Sequence, residues 1–356
     1  MSGVSEELQP EVATCLVRLA DCVRALAFSP DGTRLAAASL GGEVVIVDLR
    51  SGGSRVLARP HGGGALALAW TPTGDAVVTG GQDGAVVRHR LDRDGADVLH
   101  EGPGWVERVT WAPDGRVFAA AIGRTVRFFD ADGVALPVVH EHDNTVSDIA
   151  WSAEPAVLWS GCYGGVQALS PTRVRALRRL RWKGSILAIA PSPDGRWLAT
   201  GNQDASVHVW HLASGRDFEM SGFPAKVRTL CFRPDAQSLA TASGAAVALW
   251  DFAGRGPAGR TPKILEGHGA TVTDAAFVDA GGRVGLVTTS LDGTLRSWLP
   301  ARSRSAVSSV DLGSPASCLA VHSGTAGLAV GTRDGAVHVS PGGTEPKRRT
   351  VSVARR

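Results

Sequence analysis

Phe28-Ser-Pro-Asp-Gly32 is the stretch from which the fold is read, because it comes back. It returns as Trp70-Thr-Pro-Thr-Gly74, Trp111-Ala-Pro-Asp-Gly115, Trp151-Ser-Ala-Glu-Pro155, Pro191-Ser-Pro-Asp-Gly195, Phe232-Arg-Pro-Asp-Ala236 and Phe277-Val-Asp-Ala-Gly281. A degenerate eighth copy stands at Val321-His-Ser-Gly-Thr325. The first positions are 42, 41, 40, 40, 41, 45 and 44 residues apart. A period of that size marks an array of stacked supersecondary units.

Outward from the turn, every unit reads alike. Within residues 185–220 the alternating run SILAIAP leads into the turn. Pro suits its second position, and Asp and Gly tolerate its tighter dihedrals. The run RWLAT follows, then the turn GNQDA, then SVHVWHL with β-branched residues at alternate positions, then ASG and the less apolar RDFEM. Four short antiparallel strands with no helical period make one sheet per unit. Such a sheet cannot bury both faces alone, but stacking around an axis buries them. The expected fold is therefore all-β: a closed β-propeller of eight four-stranded blades, with seven blades plus one irregular unit as the alternative.

The seventh unit carries Gly267-His268, Thr288, Asp292 and Trp298 in order. The fifth keeps Thr200, Asp204 and Trp210, and the second keeps His61, Thr79 and Asp83 with His89 in place of Trp. The sixth has Thr241 and Trp250-Asp251 with a shortened turn. On these residues the chain resembles the WD-repeat β-propellers over about residues 13–345. The resemblance implies that His268, Thr288, Asp292 and Trp298 form a hydrogen-bonded structural tetrad bracing their blade. It also implies that an N-terminal strand, here residues 13–20, completes the last blade and closes the ring. The rival latch is 350–355, which follows a turn-rich, basic stretch. The expected organisation is a disordered N-terminus (1–12), a single propeller (13–345) and a basic C-terminal tail (346–356).

The 356 residues are 44% hydrophobic and 20% charged, an ordinary globular balance. A formal charge of +3 is too mild to demand nucleic acid or an anionic membrane. Lys183, Lys226, Lys263 and Lys347 are the only lysines, so arginine carries most of the positive charge. Cys15, Cys22, Cys162, Cys231 and Cys318 are odd in number and contain no C-x-x-C pair, which argues against a disulfide framework or zinc knuckle. The start, MSGVSEELQP, lacks the basic and apolar runs of a signal peptide, and no apolar run is long enough for a membrane span. The expectation is a cytoplasmic protein without membrane insertion, monomeric as an isolated propeller.

Catalytic motifs are missing: no H-E-x-x-H, no P-loop and no G-x-S-x-G. His140 and His142 form an H-x-H pair, a pattern that can bind zinc, but His142 falls at the repeat's structural histidine position. The glycine string at 60–64 has no following helix to hold a phosphate. The repeated Asp residues belong to turns, whereas an active site needs a unique constellation. No catalytic residue, metal site or cofactor is therefore assigned, and the chain is read as a non-enzyme.

Binding is expected where the repeat is broken. Trp105, Tyr163 (the sole tyrosine), Arg181-Trp182-Lys183, Phe223 and Lys226 fall on the rim formed by second-to-third turns and inter-unit connections, in four consecutive units. Aromatic and arginine side chains are the usual interface anchors. The leading reading is a protein–protein interaction scaffold, a subunit of a larger assembly that holds a partner on this rim. The first alternative is nucleic-acid binding through the basic strand 173–183. The second is a metal-dependent propeller enzyme.

Overall fold

The computed structural model describes residues 15–57, 61–153, 156–280 and 282–340. The regular elements among them are all β-strands. The expected N-terminal 1–12 and tail 346–356 segments, and the rival latch 350–355, lie outside the described residues.

The repeated turn is held by its own side chains. Gly32 N donates to Ser29 O (2.8 Å), and Gly32 sits at φ 68°, where glycine is favoured. Ser29 Oγ donates to Asp31 (2.6 Å) and accepts from Arg34 N (2.9 Å). The Ser29 hydroxyl and the Thr33 amide hold the Asp31 carboxyl down at about 2. Unit five repeats the design, with Gly195 N on Ser192 O (2.9 Å) and Ser192 Oγ on Asp194 (2.6 Å).

Each turn joins the first strand of a unit to its second. In unit one these are Val23–Phe28 and Arg34–Ser39, followed by Val44–Asp48 and the outermost Ser54–Leu57. The two middle strands are almost wholly buried, whereas most of the outermost strand is exposed. The Ala-rich run Ala36-Ala37-Ala38 alternates between the two faces: Ala37 packs toward the last unit, and Ala36 and Ala38 toward unit two. Small side chains on both faces let neighbouring sheets approach closely.

The expectation of eight separate four-stranded blades is corrected. Hydrogen bonds group the strands into seven sheets, six of four strands and one of six. The six-stranded sheet covers units four and five, because the 19-residue strand Arg173–Pro191 serves both. Its first part pairs with Leu158–Ser170 and its last part with Trp197–Asn202. The strand Leu158–Ser170 is itself folded back, with Ser160 Oγ reaching Gln167 O (3.4 Å). Gly164 and Gly165, at φ 96° and 132°, allow that reversal, and a Cβ on Gly165 would run into the Leu180 carbonyl. With no break between strands, the two units share one sheet.

Packing follows the sequence units. Eight apolar clusters each join one unit to the next. The eighth, around Val287, Leu295, Leu328 and Val330, joins unit seven to the last unit, and the first, around Val23, Leu35, Ala329 and Val337, joins the last unit to unit one. Seven hydrogen-bonded sheets thus share eight apolar seams.

The last sheet is completed by the first strand. Val17–Arg18 pairs antiparallel with Ala336–Ser340, and Leu16 N and Leu19 N donate to Val337 O (2.8 Å) and Gly335 O (2.9 Å). Of the expected strand 13–20, residues 13 and 14 lie outside the described residues, and at its other end Ala20 N turns away to Glu43 (2.9 Å). Arg18 pairs with Asp334 (2.5 Å), and Leu19, only 2% exposed, enters the seam with unit one. Leu19→Ala is expected to lose about 2–5 kcal/mol of stability through the cavity it leaves. Urea unfolding measures this, and an unchanged midpoint would show that the first strand does not hold that seam.

Candidate functional site

The side chains singled out by sequence occupy two environments, and their position relative to the innermost strand decides which. His61, His142 and His268 each stand four residues before a buried residue that enters the innermost strand's seam: Ala65, Val146 and Val272. In unit seven His268 Nε2 meets Thr288 Oγ1 at 2.7 Å, and its Nδ1 lies 3.2 Å from Asp292. Trp298 Nε1 donates to the same Thr288 hydroxyl (2.8 Å). Burial works against the Asp292 anion, but the Thr294 hydroxyl and the amides of Gly269 and Thr294 hold its carboxyl below the ordinary range. The network ties the connecting loop, the second strand, the following turn and the third strand together.

The other units keep parts of this network. In unit two His61 joins Asp83 (2.9 Å) and Thr79 (2.9 Å), and His89 reaches Thr79 at 3.3 Å where tryptophan would stand. In unit four His142 takes Ser160 (3.1 Å) and Gln167 (3.1 Å). His140 instead meets Ser170 O (2.9 Å) from the outermost strand of unit three, so the H-x-H pair is split between two sets of partners. In unit six Trp250 Nε1 donates to Thr241 Oγ1 (3.0 Å) with no histidine present.

Trp182 and Phe223 also stand four residues before such an anchor, Ile186 and Val227. They therefore fill the histidine position of units five and six. The Trp182 ring packs on His208 at 4.0 Å between centroids, and Phe223 lies 6.1 Å from Trp250. Both belong to apolar seams. Of the four expected rim aromatics, Trp182 and Phe223 pack inward, while Trp105 and Tyr163 remain 53% and 57% exposed. Arg181, Lys183 and Lys226 are also exposed, with Lys183 Nζ 5.7 Å from the Trp182 ring. Counting back from the first buried residue of each inner strand would have separated the two classes.

A second feature carried no motif. Around the axis, Arg108 of unit three pairs with Asp148 of unit four (2.8 Å), which also accepts Ile189 N of unit five (2.9 Å). Asp274 of unit seven accepts Ala275 N (2.9 Å) and Leu319 N of the last unit (3.2 Å). Desolvation, partly offset by these amides, pushes the Asp274 carboxyl up to about 6. These acids stitch neighbouring innermost strands, and among the described residues no group of three or more His, Cys, Asp or Glu side chains is arranged to hold a metal ion.

Two outcomes are expected. Thr288→Val removes the hydroxyl shared by His268 and Trp298 and leaves two buried ring nitrogens without it, so calorimetry should show a loss of about 2–4 kcal/mol. An unchanged melting temperature would mean that the network does not brace its unit. Burial lowers His89 and His142 from 6.5 to about 4. The unfolded chain then binds protons that the folded chain refuses, so stability should fall as pH drops from about 6.5 to about 4. His89→Gln with His142→Gln should flatten that slope in thermal melts.

The sequence and the fold have counterparts among known proteins. A family model described as WD domain, G-beta repeat matches residues 13–48, 176–211 and 259–298. WD repeat-containing protein 90 of Xenopus tropicalis is 28% identical over 191 residues, which cover 50% of this chain and 10% of that protein. The Intraflagellar transport protein 80 homolog of Rattus norvegicus is 25% identical over 148 residues, covering 40% of this chain and 18% of the relative. The matched part is thus less than a fifth of either relative's length. The crystal structure of the computationally designed Ika8 protein superposes with a TM-score of 0.74 at 20% identity, covering 92% of this chain and 98% of its own, a likeness of fold. With its stacked antiparallel sheets, its His–Thr–Trp network in unit seven and its matched repeats, the chain belongs to the WD-repeat β-propeller family.

Proposed function

We propose that this chain is a non-catalytic protein–protein interaction scaffold and a cytoplasmic subunit of a larger assembly. It binds its partner on the rim that carries Trp105 and Tyr163. The carrying observation is the contrast in exposure. Of ten tryptophans Trp105 alone is exposed, and the single tyrosine is exposed one unit away. Large aromatic rings left in water without a packing role are the usual anchors of protein interfaces. Both rest on supported backbone: Trp105 O accepts Gly123 N (2.9 Å), and Tyr163 pairs in register with Ser185. Pre-set positions reduce the ordering cost of binding. The exposed cations Arg181, Lys183 and Lys226 of units five and six favour a partner face that brings acidic side chains to its margin. That one relative is by name an intraflagellar transport protein supports a role among other proteins.

The pairing of Val17–Arg18 with the last strand is read as the latch of the ring, supported by the apolar seam that Leu19 enters. A latched ring supplies the rigid platform that a preformed interface needs.

Affinity purification of the tagged chain after nuclease treatment tests the proposal. Wild type is compared with the Trp105→Ala, Tyr163→Ala double variant. A stoichiometric protein should survive nuclease and be lost from the variant. Recovery of only nuclease-sensitive material, or of the same proteins with both chains, overturns it.

A further inference from the structure

Residues 173–183 hold six cations and no acid. Five of them, Arg173, Arg175, Arg179, Arg181 and Lys183, are exposed, and none makes an ion pair within the distances that define one among the described residues. Other arginines of the chain, Arg55, Arg88, Arg90, Arg93, Arg108 and Arg260 among them, each hold an aspartate. The sixth cation, Arg178, is spent inside the fold on the Leu212 carbonyl.

The backbone explains why this segment faces outward. Gly165 to Ala168 pair residue for residue with Arg181 to Arg178, but the next pair is Ser170 with Arg173. Residues 174–177 therefore bulge from the ladder. A bulge re-aims side chains and spoils an edge for simple strand addition. Here it carries Val174 and Leu177 into water, 73% and 45% exposed, among the arginines. An edge protected only against aggregation needs charge, and it gains nothing from two aliphatic side chains presented among those charges.

We propose that this bulged outer strand of unit four is a second docking surface, for an acidic protein segment that carries aliphatic side chains. Its carboxylates meet Arg173, Arg175 and Arg179, and its aliphatic groups cover Val174 and Leu177. Charge complementarity selects the acidic partner. The paired aliphatics select a peptide over nucleic acid, because a phosphate backbone has nothing to bury on them. The surface lies on the outer edge and does not include Trp105, so it goes beyond the rim reading.

The test uses fluorescence anisotropy with three labelled probes of equal length: a peptide alternating Glu and Leu, oligoglutamate, and oligouridylate. The mixed peptide is expected to bind at least tenfold more tightly than either homopolymer. Arg175→Glu with Arg179→Glu should weaken it at least tenfold. Val174→Ser with Leu177→Ser should weaken it severalfold while leaving the salt dependence unchanged. Trp105→Ala should leave it unchanged, which separates this surface from the rim. All substituted side chains are exposed, and matching melting temperatures would confirm folded variants. Failure of the mixed peptide to bind overturns the proposal. So does equal or tighter binding of a homopolymer, with the serine variant indistinguishable from wild type, which would mark a general polyanion surface.

Discussion

Everything in this molecule depends on burying the second face of a small sheet. Four short strands have two faces and can cover neither alone. Each unit therefore presents Val, Leu, Ala and aromatic residues on both sides, and eight apolar clusters join unit to unit until the last meets the first. The burial of one seam is useless without the next. That mutual dependence explains the tight alanine runs of the middle strands and the placement of Leu19 from the far end of the chain.

The polar networks refine this packing. A buried hydroxyl such as Thr288 is tolerable because it serves two rings at once, and a buried histidine is tolerable because an aspartate and a hydroxyl satisfy both its nitrogens. Units that lack the histidine fill its place with hydrophobic bulk, Trp182 on His208 and Phe223 near Trp250. Packing and hydrogen bonding are thus alternative ways to fix the same loop. The aromatic left out of either, Trp105, is for that reason the residue that most suggests a partner.

Units four and five show how the scaffold yields where the strands are not interrupted. The strand Arg173–Pro191 leaves one unit as its outermost strand and enters the next as its innermost. This single sheet also carries Tyr163 and the unpaired cations. The part of the propeller that departs most from the repeat is the part that offers the most unusual surface.

Much was legible from residues alone, because it is local. The turn at Phe28–Gly32 writes its own hydrogen bonds, Ser29 to Asp31 and Gly32 to Ser29, within four residues. The order His268, Thr288, Asp292 and Trp298 named the members of a network whose separations are set by strand length. What sequence could not decide depends on distance through space. Whether Trp182 or Trp105 faces water is settled by the ring of His208 and by its absence elsewhere. The bond from Asp274 to Leu319 spans 45 residues and has no motif, since any small or acidic residue suits an inner strand until its neighbour is in place. Sequence alone determined the repeating unit, because a turn and an alternating strand are short-range chemistry. Only the tertiary structure decided which side chains are braces, which are seams and which are surface, because burial belongs to the assembled fold.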